Sequence, residues 1–438
     1  MLSSLRPLRS RNFALVWTAA FVSNIGSWMQ TVVLAIVVTD RSHNPLWTGT
    51  VAAAAFVPVG VLSPVGGALA DRLDRRRWLV TTTVAEAAFA ATLAVLAGTG
   101  HAASWALVGV AFLGGVAAAI GFPTYQAMLP DLVPAEDLLG AVSLSSAQFN
   151  LGRVIGPALA GLVLVVGSPA WAFAVNALSF GAVVAALALI TLPSHRPSPA
   201  GVGIMGRIVE GARLAAAEPG CRSAITLIAV VALIGSPFIA LAPALAIDGL
   251  HSSKGGASML VTAQGVGAVC GALVLTPLAQ RLGRRLVVGA LFAFPVALVP
   301  YGLSRSLWTA VPAMAVVGAC YIGVLTGLNT VVQRRAPTAA RGRVLGLYMM
   351  ALGTIYPVGA VVEGAIAHRA GIRAVTAASG VLLLGVMAAI GLSRGRLFAV
   401  LDGGPVPAPA SMSGRPQPAS VLAAEAAAVP DGTSPAGP

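Results

Sequence analysis

Charge is scarce in this chain. Asp, Glu, Lys and Arg make up 9% of its 438 residues, where a soluble globular domain carries about 25%. That shortage excludes a soluble enzyme or a soluble binding module. Acidic residues are scarcer than basic ones, 14 against 27. The basic residues stand singly or in short clusters between apolar runs, with no basic domain and no interleaved aromatics, which excludes a nucleic-acid-binding surface. There are three cysteines, Cys221, Cys270 and Cys320, at spacings that suit neither disulfides nor a metal. The five histidines fall in loops or at the ends of apolar runs and offer no ligand spacing. No glycine-rich nucleotide-binding motif is present, so ATP is not expected to drive the protein directly. The expectation is a chain with neither metal nor cofactor.

What the chain does have is apolar length: 57% of its residues are hydrophobic. A membrane-spanning helix needs about 20 mostly apolar residues. By that measure the first set of spans covers 13–38, 47–70, 78–98, 102–128, 139–166 and 171–192. A second set covers 222–246, 256–279, 286–303, 308–331, 344–367 and 374–396. The first run is longer than the roughly 7–15 residues of a signal peptide's core, so it reads as a retained helix. With the amino terminus inside, nearly all basic residues share its side of the membrane. The exceptions are Arg41, Lys254, Arg305, Arg369 and Arg373 outside, and Arg153 within a span. The positive-inside bias therefore predicts both termini in the cytoplasm. The fold class is all-α and integral to the membrane, with twelve transmembrane helices.

Residues 193–221 interrupt this pattern. Pro193, Pro197 and Pro199 open the segment, and Arg207, Glu210 and Arg213 then recur at helical spacing. The reading is a cytoplasmic linker with a short surface helix. Residues 401–438 turn to Pro, Ala, Ser and Gly without periodicity and read as a disordered cytoplasmic tail. The domains are thus an amino-terminal half, 1–192, the linker, a carboxy-terminal half, 222–400, and the tail. The halves are related. Thr276-Pro-Leu-Ala-Gln-Arg-Leu-Gly-Arg-Arg285 repeats a stretch beginning at Gly67. Pro134 and Pro337 both follow a span, and Gly156 and Gly161 share an offset with Gly359 and Gly364. Two pseudo-symmetric six-helix bundles follow from that repeat.

The stretch beginning at Gly67 reads Gly67-Ala-Leu-Ala-Asp-Arg-Leu-Asp-Arg-Arg-Arg77. It makes a very short, strongly basic hairpin between the second and third spans, and it resembles the signature of the major facilitator superfamily. The resemblance marks Gly67, Asp71, Arg72, Arg75 and Arg76 as a gating loop. The fifth span holds Asn150-Leu-Gly-Arg-Val-Ile-Gly-Pro-Ala-Leu-Ala-Gly161. Its small residues every four positions let helices approach closely, and Pro157 removes a backbone donor. Gly152, Arg153, Gly156, Pro157 and Gly161 resemble the superfamily's antiporter motif, which implies export. Ser23-Asn-Ile-Gly-Ser-Trp-Met-Gln30 and Gly121-Phe-Pro-Thr-Tyr-Gln-Ala-Met-Leu-Pro130 resemble the branch containing the enterobactin exporter and macrolide-efflux proteins. The resemblance runs from about Leu8 to Arg396. Two departures stand out. Asp74 replaces a small residue of the signature, and Ser27 stands where some exporters of the branch have an acid.

Three charges lie inside spans: Glu86, Arg153 and Glu363. Charges there are costly and rarely face lipid, so each is a functional candidate. Arg153 shares a helical face with Ser146 and Asn150 and is open to two readings, coupling or structural bonding between helices. Glu363 and Glu86 are the proton-coupling candidates, although Glu363 also lies close enough to the outer surface to snorkel. Asn24, Ser27, Trp28 and Thr31 form one polar stripe on the first span. Thr326, Asn329, Thr330 and Gln333 form another on the tenth. In the resembled fold these spans line a central cavity. Asn24, Trp28, Thr31, Gln126, Tyr321 and Asn329 are therefore the cavity candidates, with Tyr125 and Tyr356 behind them. The competing reading is hydrogen bonding between helices.

Together these features predict a monomeric secondary transporter of the bacterial inner membrane. It would export a small organic compound, a drug, siderophore or secondary metabolite, by proton antiport with alternating access. A lipid or lysolipid flippase on the same fold is the alternative. A membrane-embedded transferase lacks the paired acid and base it needs.

Overall fold

Twelve helices of the computed structural model are long and apolar enough to cross a membrane. The structure describes residues 2–100, 102–190, 204–337, 341–393 and 396–401. At some helical positions, including Asp71 and most of 276–282, only the backbone is described. The first six spans are α1 (Arg11–Ser42), α2 (Pro45–Arg72), α3 (Arg75–Gly98), α4 (Ser104–Leu132), α5 (Leu138–Val166) and α6 (Pro169–Leu189). A shorter helix, α7 (Ile204–Ala217), follows. The remaining spans are α8 (Pro219–Gly249), α9 (Lys254–Leu282), α10 (Arg284–Leu303), α11 (Leu307–Arg335), α12 (Arg341–Ala370) and α13 (Ile372–Ser393). The tail and the proline-rich opening of the linker lie outside the described residues.

Most spans overrun the apolar runs that announce them, because polar residues cap them beyond the lipid-facing stretch. α1 continues through Asp40 and Arg41 to His43, whose left-handed backbone (φ 46°) ends it. Asn44 then accepts the Leu46 N–H at 3.0 Å and starts α2, with Pro45 in the first turn. Asp74 accepts the Arg77 N–H at 2.8 Å and caps α3. Its departure from the family signature thus has a local use: a carboxylate at a helix amino terminus. Ser168 caps α6 and Glu218 caps α8 in the same way.

The packing repeats between the halves. α1 lies against α5 and α2 against α4, as α8 lies against α12 and α9 against α11. The repeated glycines sit at matching contacts. A Cβ on Gly156 would stand 2.6 Å from the Trp28 Cβ of α1, and Gly359 meets the Leu233 carbonyl and Pro237 of α8. Gly161 reaches across to Ser258 of α9, and Gly364 reaches across to Pro45 and Leu46 of α2. Water does not drive helices together inside lipid, so this close backbone approach is what holds them.

α8 is the irregular span. Two π turns, Val231–Gly235 and Leu245–Gly249, flank a short helix, Phe238–Ala244. Pro237 and Pro243 supply no N–H to the ladder, and the buried Ser236 hydroxyl donates to the Val231 carbonyl at 3.1 Å. The first stretched turn lies near the middle of the span and the second at its end beside His43, and π-bulges are frequent at functional sites.

Candidate functional site

Contacts between the halves gather at the end of the bundle that carries Asp40. Lys254 of α9 pairs with Asp40 of α1 at 2.8 Å, and His43 meets Asp248 of α8 at 3.0 Å. The Ser258 hydroxyl donates to the Pro157 carbonyl across the α5–α9 contact. Deeper in, Phe56 of α2 stands edge-on to Tyr356 of α12, with ring centroids 5.7 Å apart. Toward the opposite end, where the Arg72–Arg77 hairpin lies, in-span polar side chains are exposed: Gln126, Ser146, Asn150, Thr326, Thr330 and Gln333. Polar groups at that depth belong to a water-filled space rather than to lipid. A crevice therefore opens between the halves at the arginine-rich end.

Arg153 stands at the head of this crevice. Its guanidinium carbon is 5.6 Å from the centroid of the Trp28 ring, a cation–π arrangement. Trp28 in turn stands edge-on to Phe149, with centroids 5.7 Å apart. Tyr321 and Tyr356 of the other half lie within electrostatic reach of Arg153. Among the described residues the Arg153 side chain has no hydrogen bond and no ion pair. The side-chain amides of Asn24 and Gln126 also make no hydrogen bond to a described residue. A cation, free amides and the Trp28 and Phe149 rings can hold a partly apolar organic molecule.

The remaining cavity candidates divide. The Thr31 hydroxyl donates to the Ser27 carbonyl of its own helix at 2.8 Å, and Asn329 accepts from Gln333 at 2.6 Å. Tyr321 is only 3% exposed. Its hydroxyl lies 3.0 Å from the Ser236 hydroxyl, and its ring packs on Phe238 and Phe294. It backs the site rather than lining open space. Ser236, Phe238 and Phe294 were not legible as site residues, although Gly235-Ser236-Pro237 within an apolar run was the available signal.

In the hairpin, Arg75 donates to Asp131 at 2.9 Å and to the Ala127 carbonyl at 3.0 Å, tying α3 to the end of α4. Arg76 donates to the Ala188 carbonyl at the end of α6. Arg72 is exposed, and a Cβ on Gly67 would meet nothing within 4 Å. The Asp71 side chain lies outside the described residues. The two in-span carboxylates stand apart from Arg153. Glu86 faces α4 beside Gly121, and Glu363 lies beside Ser379 of α13. No group of His, Cys, Asp and Glu suited to a metal occurs among the described residues.

A family model described as transmembrane secretion effector matches residues 2–402. The chain is 28% identical over 399 residues to the enterobactin exporter of Escherichia coli O1:K1, covering 88% of this chain and 93% of that one. It is 23% identical over 382 residues to macrolide efflux protein A of Streptococcus pyogenes, covering 85% and 93%. The staphyloferrin A transporter of Staphylococcus aureus is 32% identical over 180 residues, so this chain spans 44% of that protein and 41% of itself is matched. Among solved structures, a bacterial homologue of the human lysosomal transporter Spinster, inward-facing and unoccupied, superposes with a TM-score of 0.71. That likeness covers 90% of this chain and 99% of the other at 15% identity, and it shows the fold alone.

Proposed function

The chain belongs to the transmembrane secretion effector family of major facilitator superfamily transporters, and from that premise we propose that it exports a small organic compound by proton antiport with alternating access. It is a multi-pass membrane transporter and not an enzyme. The substrate classes in view are those its relatives are named for, siderophores and drugs. The observation that carries the proposal is the crevice between two pseudo-symmetric halves, shut at the Asp40 end and headed by Arg153, Trp28 and free amides.

In this reading both termini and the arginine-rich end face the cytoplasm. The crevice then takes substrate from inside, and rocking of the halves, 1–192 against 222–400, releases it outside. Residues 193–221 tether the halves, and the protein acts as a monomer. Gly67 and Asp71 act when the cytoplasmic end closes: the open space beside Gly67 is then taken up by the opposing half, and the Asp71 carboxylate latches there. Expression in an efflux-deficient host, challenged with a panel of siderophores, dyes and antibiotics, tests the function. Lowered accumulation of at least one compound, relative to vector alone, is the expected result. Unchanged accumulation across the panel speaks against export.

A further inference from the structure

The geometry points to a substrate that carries an ionised acid group on an apolar, aromatic body. The acid sits on Arg153 and the body lies against Trp28 and Phe149. An arginine does not lose its charge in a protein, and a lone cation inside a span is costly. Among the described residues no carboxylate meets this one: Glu86 faces α4 beside Gly121, and Glu363 lies beside Ser379 on α13. The guanidinium carbon lies over the Trp28 ring, 5.6 Å from its centroid. No N–H of this guanidinium is hydrogen-bonded among the described residues, and these are the donors that hold a carboxylate, sulfonate or phosphate oxygen pair in parallel.

The surroundings fit the rest of such a molecule. Phe149 is 41% exposed beside Trp28. Aromatic rings stack offset or edge-on against walls of this kind, and the Asn24 amide, one turn from Trp28 on α1, remains for polar substituents. A cationic compound would meet Arg153 with no counter-charge paired to it among the described residues. The assignment rests on the export reading for the role of the crevice, but its test is one of binding.

Purified full-length protein in lipid nanodiscs is titrated with radiolabelled 1-naphthaleneacetate, 1-naphthaleneethanol and 1-naphthaleneethylamine, with empty nanodiscs subtracted. Saturable binding is expected, with the acetate tightest and the amine weakest. Arg153→Gln should weaken the acetate at least about tenfold, the loss typical of a hydrogen bond to a charged group, and weaken the alcohol by clearly less. Arg153→Lys, which keeps the charge without the planar fork, should fall between them. Thermal unfolding of each variant shows that the fold is kept. The assignment is overturned if the amine binds the parent as tightly as the acetate, if the acetate does not saturate, or if a folded Arg153→Gln binds the acetate like the parent. Acetate that binds with this pattern but is not carried in proteoliposomes upholds the acid site and counts against export.

Discussion

Single residues divide here into those that shape the fold and those that wait for a second conformation. Arg75 and Arg76 have partners already, Asp131 and the Ala127 and Ala188 carbonyls. Gly67 faces open space, as a residue would if its contact forms only when the arginine-rich end closes. Asp71→Asn keeps the shape and removes the charge, so membrane expression should persist while efflux falls strongly. Efflux assays on matched amounts of protein check this, and normal efflux by the variant would remove Asp71 from the latch. Coupling is argued at the same scale. Antiport needs a group that takes a proton on one side and gives it up on the other, and the in-span carboxylates are Glu86 and Glu363. Glu363→Gln or Glu86→Gln should abolish the response of transport to an imposed pH gradient and leave downhill substrate exchange intact. Proteoliposome fluxes with and without the gradient measure both. If both variants still follow the gradient, Asp40 is the next candidate. The contact of Glu363 with Ser379 on α13 places it on the flank of its half, not in the crevice, so its protonation would act through the packing of α12.

At the scale of the element, close helix contacts and open ones make opposite predictions. A Cβ on Gly364 would stand 2.5 Å from the Pro45 carbonyl, a backbone atom that cannot swing aside. Gly364→Val should therefore destabilise the folded protein by about 1–3 kcal/mol, the usual cost of overpacking. Gly67→Leu, with nothing within 4 Å, should leave thermal unfolding almost unchanged and reduce efflux. A thermal-shift series in one detergent compares the two. The elements were legible in the sequence because bilayer thickness sets their length, and the glycine repeat located the helix contacts. Their ends were less so: α1 and α11 run on through Asp40 and Arg335, where the apolar pattern has already stopped. The break in α8 was hidden, since Pro237 and Pro243 sit in a run that reads as plainly apolar. Arg153 and Trp28 could be picked out because an in-span charge and an i, i+4 stripe are local signals. The Asp40–Lys254 and His43–Asp248 pairs could not, because each partner is an ordinary polar residue until the fold brings the halves together.

For the whole molecule, what matters is how firmly the Asp40 end is shut. The Asp40 and Lys254 side chains are 36% and 41% exposed, and ion pairs at that exposure contribute about 0–1 kcal/mol. The α5–α9 and α2–α12 contacts carry more of the closure, through the approach of Gly161 to the Ser258 side chain and of Gly364 to the Pro45 backbone. A closure built this way separates by tilting one half against the other, with the packing inside each half kept. The central claim is that this motion carries an organic compound out of the cell. Everted membrane vesicles from an efflux-deficient host, energised by respiration, test it most directly, because their interior corresponds to the outside of the cell. Vesicles containing the protein should accumulate a labelled compound from the host panel well above vesicles that lack it, and nigericin, which collapses the pH gradient, should release it. Equal accumulation in both kinds of vesicle would contradict export, and accumulation indifferent to nigericin would contradict its coupling to protons.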